Sequence, residues 1–337
     1  MADDMKIAIC GAGAWGTALA IQCAEQGLTV SLLPRRIEQA EAMRSAGENQ
    51  DYLPGYPLPK KLSVEVSDEA ALADAAIVLL GSPSHALRAW LERIKKTITD
   101  ERRVFFISLA KGLELESGKT PCELIGEVFP EHLIGCLSGP TFAGEVAEGK
   151  PVAMTLATTA IESIVEATQM AISGSNMRIY LSDDLRGVEL GGCLKNVYAI
   201  AAGCSQGLGL GDNAQAALLT RALAEMVRVG LALGAQSETF YGLSGFGDLS
   251  ATCHGEWSRN RTFGEAVAKG GSAKQVVENQ KTAVEGYRTA KSFHEMLEAK
   301  GIDAPILEQV YRILYEDKRP MEALSDLMSR DLKREND

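Results

Sequence analysis

The chain has 337 residues, 46% of them hydrophobic and 23% charged, and a net charge of −11. That length exceeds what one hydrophobic core fills, so two domains are expected, and the composition is that of an ordinary soluble globular protein. The acidic balance argues against a nucleic-acid or anionic-membrane partner, because the long-range field repels both, and a phosphorylated ligand has to be held by a few local cations.

Met1-Ala2-Asp3-Asp4 is acidic and leads straight into the strand-like run Lys6 to Cys10, which predicts no signal peptide. The longest apolar stretch, around Ala214 to Ala235, is interrupted by Arg221, Glu225 and Arg228, short of the ~20 residues a membrane span needs. Seven cysteines with no C-x-x-C pair read as free, mostly buried thiols of a reducing compartment, which points to the cytoplasm. Four histidines lie far apart, so no metal site is expected.

The run Lys6 to Cys10 breaks into Gly11-Ala12-Gly13-Ala14-Trp15-Gly16 and then the Ala/Leu-rich helical pattern that Gly27 should stop. Gly11 permits a tight turn, Gly13 brings no side chain between a pyrophosphate and the backbone, and Gly16 lets the helix lie close to the strand. The helix start then offers free N–H groups to phosphate. A second strand, Thr29 to Leu33, ends in Pro34-Arg35-Arg36, where an NAD-binding unit usually carries Asp or Glu. Guanidiniums there suit a 2′-phosphate, so NADP(H) is the expected cofactor, with NAD(H) as the alternative.

Further along, Glu38 to Ala46 reads as helix and the Pro54, Pro57 and Pro59 cluster as a surface loop. Leu62 to Val66, Ile77 to Leu80, Val104 to Leu109, Leu133 to Leu137 and Val152 to Ala157 read as strands, with helices from Ala86 to Lys95 and from about Ala160. The alternation predicts a parallel, doubly wound sheet of Rossmann type. Ligands sit at the carboxyl ends of such strands, so Ser82-Pro83-Ser84, Lys111 and Gly139-Pro140-Thr141 should border one crevice.

From about Asp183 strand patterns vanish, which places the domain boundary between residues 184 and 185 and makes residues 185–337 an all-helical domain. In the helix from Leu185 to Cys204, residues Val188, Gly192, Lys195, Ala199 and Ala202 share one face. Gly191-Gly192 in a helix interior costs roughly 1 kcal/mol each relative to Ala, a cost that close approach of another chain segment or a ligand usually offsets. Lys195, the one charge on that face, either snorkels to solvent or works with a shifted pKa. Gly203 to Gly211 and Gly242 to Leu249 read as glycine-rich loops around a helix from Asn213 to Leu233. Ser258-Arg259-Asn260-Arg261 reads as a helix start suited to an anion. Two helices split by Arg319-Pro320 follow Pro305, and Arg330 to Asp337 reads as a fraying helix.

Taken together, the chain resembles the bacterial glycerol-3-phosphate dehydrogenase [NAD(P)+] family along nearly its whole length. The matching motifs are G-A-G-x-W-G-T-A-L-A at the start, P-S-H-A-L-R from Pro83, A-K-G-L-E from Ala110, S-G-P-T-F-A from Ser138, L-K-N-V-Y-A-I from Leu194, G-x-G-D-L from Gly245, S-R-N-R from Ser258 and V-E-G-Y-R from Val284. The resemblance implies reversible reduction of dihydroxyacetone phosphate to sn-glycerol 3-phosphate for phospholipid synthesis, in the cytoplasm; the oligomeric state stays open, a homodimer among the options. It gives catalytic roles to Lys195, Asn196 and Asp248. Substrate contacts fall on Lys111, Gly139, Thr141, Lys195, Asp248, Ser258, Arg259 and Asn260. Cofactor contacts fall on Gly11, Gly13, Ala14, Trp15, Gly16, Arg35, Arg36, Lys111, Ala143, Arg259, Ala283 and Glu285. Gly81-Ser82 and Ala283 depart from residues common at those positions, but neither change removes a chemical group. A 6-phosphogluconate or β-hydroxyacid dehydrogenase resembles a pattern with Lys and Asn a full turn apart, whereas Lys195 and Asn196 are adjacent. A non-catalytic NADP-binding sensor would leave Lys195, Asp248 and Arg259 without purpose.

Overall fold

The computed structural model describes residues 5–98, 103–159, 163–279, 284–332 and 334–335. Its strands are β1 (Lys6–Cys10), β2 (Thr29–Leu33), β3 (Glu48–Asn49), β4 (Leu53–Pro57), β5 (Leu62–Val64), β6 (Ala75–Leu80), β7 (Phe105–Ser108), β8 (Leu133–Ser138), β9 (Val152–Thr158) and β10 (Met177–Ser182). Eight of them form one sheet in the order β10-β9-β8-β7-β6-β1-β2-β5. The central strands β1, β6 and β7 are apolar apart from Lys6 and Ser108 at their ends, because successive side chains alternate between two covered faces. Ile7, Ile9, Ile77, Leu79, Phe105 and Ile107 pack with Ala18 and Leu19 of the helix Ala14–Glu25. The alternate residues Ala8, Cys10, Val78, Leu80 and Phe106 pack with Leu87 and Leu91 of the helix Ser84–Ile94 and with Leu124 of the helix Pro121–Val128.

The chain leaves β1 toward β2 and β5 on one side and returns to β6 on the other, so the crevice outside the ends of β1 and β6 is the topological switch point. Gly11 N–H donates to Leu33 O at 2.9 Å and Gly81 N–H to Cys10 O at 2.8 Å, which ties the ends of β2, β1 and β6 together there.

The sheet is not wholly parallel, contrary to expectation: β8 and β9 pair antiparallel. The helix between them, Ala143–Ala147, has five residues. Five helical residues advance about 7.5 Å, too little to carry the chain back along a strand of roughly 20 Å for a parallel crossover. β10, which the pattern did not single out, then runs parallel to β9. The proline-rich segment is also more ordered than a loop. β3 and β4 form a small hairpin, with Pro57 on a two-stranded edge where its missing N–H is tolerated.

Beyond β10 the described residues are helical, led by the long helix Leu185–Gly207. Its N-cap, Asp184, accepts from Gly187 N–H at 2.9 Å, Gln236 N–H at 3.0 Å and the Thr239 hydroxyl at 2.5 Å, which fixes the helix start against the segment leading to residue 248. Leu190, Leu194, Val197 and Ile200 share a core with Phe263 and Val310.

Two stretches expected to be loops are helical. The long helix continues to Gly207, and residues 243–247 form a π-helical turn running into the helix Asp248–His254. Glycines in these stretches and in the helices facing them provide space for other backbone. A Cβ on Gly203 would lie 1.9 Å from Arg261 O, one on Gly264 2.1 Å from Ile200 O, and one on Gly191 2.7 Å from Ser244 O. The helix Arg259–Ala268 therefore lies directly on the long helix, and the turn before Asp248 lies on the other side. The helices Pro305–Tyr315 and Pro320–Met328 follow as expected, but the described residues after Met328 are not helical. No helix among the described residues is long and apolar enough to cross a membrane.

Candidate active site

At the end of β1 the glycine turn has the shape its sequence requires. Gly11 has φ +115°, and a Cβ there would meet Gly81 C at 2.9 Å; a Cβ on Gly16 would lie 2.1 Å from Gly11 O. Gly13 faces open space, with nothing within 4 Å of where a Cβ would stand. The following helix, which begins with Ala14 and Trp15, has no side-chain cap and no acidic residue in its first turn. A bare, uncapped helix start beside an empty approach fits a dinucleotide pyrophosphate. Arg35 and Arg36 lie just past β2, both exposed, and neither guanidinium makes a hydrogen bond or ion pair among the described residues. Ala143 opens the short helix Ala143–Ala147, and Ala283 lies outside the described residues.

Across the crevice, three charged side chains from distant segments meet. Lys195, on the long helix, is 8% exposed and Asp248, at the head of its helix, 2%. Lys195 Nζ donates to Asp248 Oδ1 at 2.5 Å and to Thr252 Oγ1 at 2.8 Å. Lys111, beyond the end of β7, donates to Asp248 Oδ2 at 2.6 Å and to Gly139 O at 3.0 Å. The Thr141 hydroxyl donates to the same carbonyl at 3.2 Å. Lys195 does not snorkel; its neighbours hold it inside.

Burial disfavours the Lys195 ammonium, Asp248 partly restores it, and Lys111 opposes it again, so its pKa falls from 10.5 to about 8. Burial alone would raise the Asp248 carboxyl, but Lys111 and Lys195 together hold it below the usual carboxylate range. The cluster thus joins a fixed anion to a cation that titrates near neutrality, the property of a proton donor at physiological pH.

A third wall comes from the helix Arg259–Ala268 and the helix Glu285–Lys300. Ser258 caps the first of these, its Oγ accepting from Arg261 N–H. The Arg259 residue is exposed and makes no hydrogen bond or ion pair among the described residues; partial desolvation lowers its pKa against the pull of Glu285. Glu285 accepts from the Ser84 hydroxyl at 2.9 Å, which joins the starts of two helices 201 positions apart. Burial raises the Glu285 carboxyl, against Ser84, Arg259 and Arg288. The amides of Asn196 and Asn260 bond to protein groups on both sides. Asn196 Nδ2 donates to Lys111 O at 3.0 Å, Asn260 Nδ2 to Asn196 Oδ1 at 2.9 Å, and Gly286 N–H to Asn260 Oδ1 at 2.9 Å.

Among the described residues, the expected positions therefore divide into three groups: the glycine turn with Arg35 and Arg36, the Lys111–Lys195–Asp248 cluster with Gly139 and Thr141, and the Arg259–Glu285 wall. Sequence reading placed Ser84 at the crevice but gave it no partner, and it passed over Thr252. Thr252 stands four residues after Asp248, one helical turn, a spacing that could have signalled it. Ser84 is the second residue of the P-S-H-A-L-R motif.

The chain is similar to known proteins along nearly its whole length. The model of the NAD-dependent glycerol-3-phosphate dehydrogenase N-terminus matches residues 6–164, and that of the C-terminus residues 184–325. The glycerol-3-phosphate dehydrogenase [NAD(P)+] of Acidovorax sp. (strain JS42) is 44% identical over 97% of this chain and 98% of its own length. That of Idiomarina loihiensis is 40% identical over 98% and 99%. The crystal structure of the Coxiella burnetii glycerol-3-phosphate dehydrogenase superposes with a TM-score of 0.92 at 37% identity, covering 97% of this chain and 99% of that one. With both halves matched in order and relatives aligned end to end, the chain belongs to the NAD-dependent glycerol-3-phosphate dehydrogenase family.

Proposed function

We propose that this chain interconverts dihydroxyacetone phosphate and sn-glycerol 3-phosphate with NADPH as the preferred cofactor, for glycerophospholipid synthesis. The observation that carries the reading is the buried Lys195–Asp248–Lys111 cluster facing a bare glycine turn across the switch-point crevice. When bound, the nicotinamide supplies the hydride. Lys195 gives its proton to the oxygen of the reduced carbonyl and, as an ammonium, stabilises the alkoxide before transfer. Asp248 and Thr252 orient that ammonium, while Lys111, Gly139 and Thr141 line the substrate side. Arg259 and the N–H groups at the helix start after Ser258 take the substrate phosphate, which the acidic molecule otherwise repels. Arg35 and Arg36, with no carboxylate at the tip of β2, favour the 2′-phosphate of NADPH. The same reading assigns cofactor binding to residues 1–184 and substrate chemistry to residues 185–337, a division supported by a sheet core drawn from residues before 185 and a helical core that takes only Leu113 from them, with Val188 joining the two parts in a small cluster. NADPH and NADH oxidation measured with dihydroxyacetone phosphate, dihydroxyacetone and 6-phosphogluconate tests it. Turnover confined to the phosphorylated ketone is expected; equal rates with dihydroxyacetone overturn the phosphate assignment, and equal kcat/KM for the two cofactors overturns the arginine one.

A further inference from the structure

Asn196 and Asn260 lie at the crevice, buried at 4% and 9% exposure, and their amides bond to protein groups on both sides. The direction of the chain is dictated by its ends. Gly286 N–H requires an acceptor and Lys111 C=O requires a donor, so Asn260 turns Oδ1 to Gly286 and Nδ2 to Asn196, and Asn196 turns Nδ2 to Lys111. The packing is as specific as the bonding. A Cβ on Gly286 would stand 2.5 Å from Asn196 O and 2.8 Å from Asn260 Oδ1. The residue after Lys111 meets the same helix start from the other side: a Cβ on Gly112 would lie 2.6 Å from Ser84 Oγ and 2.9 Å from Glu285 Oε2.

We propose that Asn196 and Asn260 are positioning residues, an amide bridge that ties the Lys111 backbone to the first turn of the helix Glu285–Lys300, so that the orientation of Lys111 depends on where that helix start sits. The Asn260 side chain gives one of its two Nδ2 N–H groups to this bridge. Its backbone N–H, second in its helix and without an intrahelical partner, remains for the substrate phosphate. Severing the bridge loosens Lys111, whose ammonium bonds Asp248, and so disturbs the setting of Lys195.

The bridge is read from hydrogen bonds, whereas its catalytic consequence rests on the proposed roles of Lys111 and Glu285; the test separates the two. Hydrogen exchange at Gly286 is followed in the ligand-free protein, and kcat and the KM for dihydroxyacetone phosphate are measured with saturating NADPH. In Asn260→Ala, Gly286 should lose protection, kcat should fall about 10- to 100-fold, the scale of a misplaced catalytic group, and KM should stay within about threefold. Retained protection at Gly286 overturns the bridge, whatever the substrate. A rise in KM of about tenfold or more with kcat near wild type marks a direct substrate contact and overturns the positioning role. Asn260→Asp, of the same shape, covers the case in which the alanine variant does not fold. It keeps the acceptor for Gly286 but cannot donate to Asn196, so protection should persist while kcat falls over the same range; wild-type kcat in that variant overturns the coupling to Lys111.

Discussion

The glycine turn at Gly11 to Gly16 and the cluster of Lys111, Lys195 and Asp248 face the same crevice, but one is made of backbone and the other of side chains, with Lys111 and Asp248 137 positions apart. In the turn, what matters is the absence of atoms: room at Gly13, close contact at Gly16. In the cluster, what matters is burial, which turns an ordinary lysine into a group titrating at about 8. A backbone site tolerates no added atom, whereas a side-chain site depends on each charge keeping its partners. The two halves should therefore fail in different ways, and substitutions can separate them.

The largest effect should come from Lys195→Met. A general acid contributes typically 10²- to 10⁴-fold, so single-turnover reduction with NADPH prebound should slow by about that range while the dissociation constant for NADPH stays within about twofold. A rate within about threefold of wild type would remove Lys195 from the mechanism.

Arg259→Ala should follow. Losing a charge-assisted bond to phosphate costs about 1.5–3 kcal/mol, or roughly ten- to a hundredfold in kcat/KM for dihydroxyacetone phosphate, with little change for dihydroxyacetone. A variant that discriminates between the two ketones as well as wild type breaks the assignment.

Gly16→Ala tests the backbone half. The added methyl stands 2.1 Å from Gly11 O, and overpacking of that kind costs about 1–3 kcal/mol. Titration should find NADPH and NADH weakened alike, about five- to a hundredfold, with single-turnover reduction at saturating cofactor close to wild type. A loss confined to the chemical step would show that the two halves do not act separately.

Replacing Arg35 and Arg36 together with Ala should raise the KM for NADPH about tenfold and leave that for NADH within about twofold. Equal changes would mean that the pair is only a solvated loop.

The smallest effect is a displacement along the pH axis. Below about 8 the Lys195 ammonium can give a proton, and above it the free amine can accept one, so ketone reduction should fall and alcohol oxidation rise as pH passes that value. Lys111 lowers this pKa by like-charge repulsion, and its loss would also leave Asp248 to Lys195 alone. Lys111→Met should move both limbs to higher pH by on the order of one unit or less. A downward shift would break the account of the cluster.

The turn was legible because everything it needs lies within six consecutive residues and follows from the size of glycine alone. Lys195 stood out for a similar local reason, as the one charge on a Gly/Ala helix face. Residue patterning did not show its partner; only the family resemblance put Asp248 in the same site. Asp248 and Thr252 share a helical face, but nothing in a linear chain says that this face meets residue 195, and the stretch before it read as a loop because glycines packed against other backbone look like glycines in a turn. The bonds of Asn260 were equally hidden, since the S-R-N-R motif suggests an anion site and says nothing of Gly286.

By itself the sequence determined the strand–turn–helix unit, the apolar central strands, the change to helix after residue 184 and the caps of individual helices. These depend on neighbours within a turn or two, so periodicity and residue type suffice. Tertiary structure decided the antiparallel β9, the crossing of the helices at Gly203 and Gly264, the shared Asp248 and the amide bridge from Lys111 to Gly286. Each of these turns on which distant surfaces meet and how much water their meeting excludes. Those quantities set the pKa of Lys195, and no residue carries them alone.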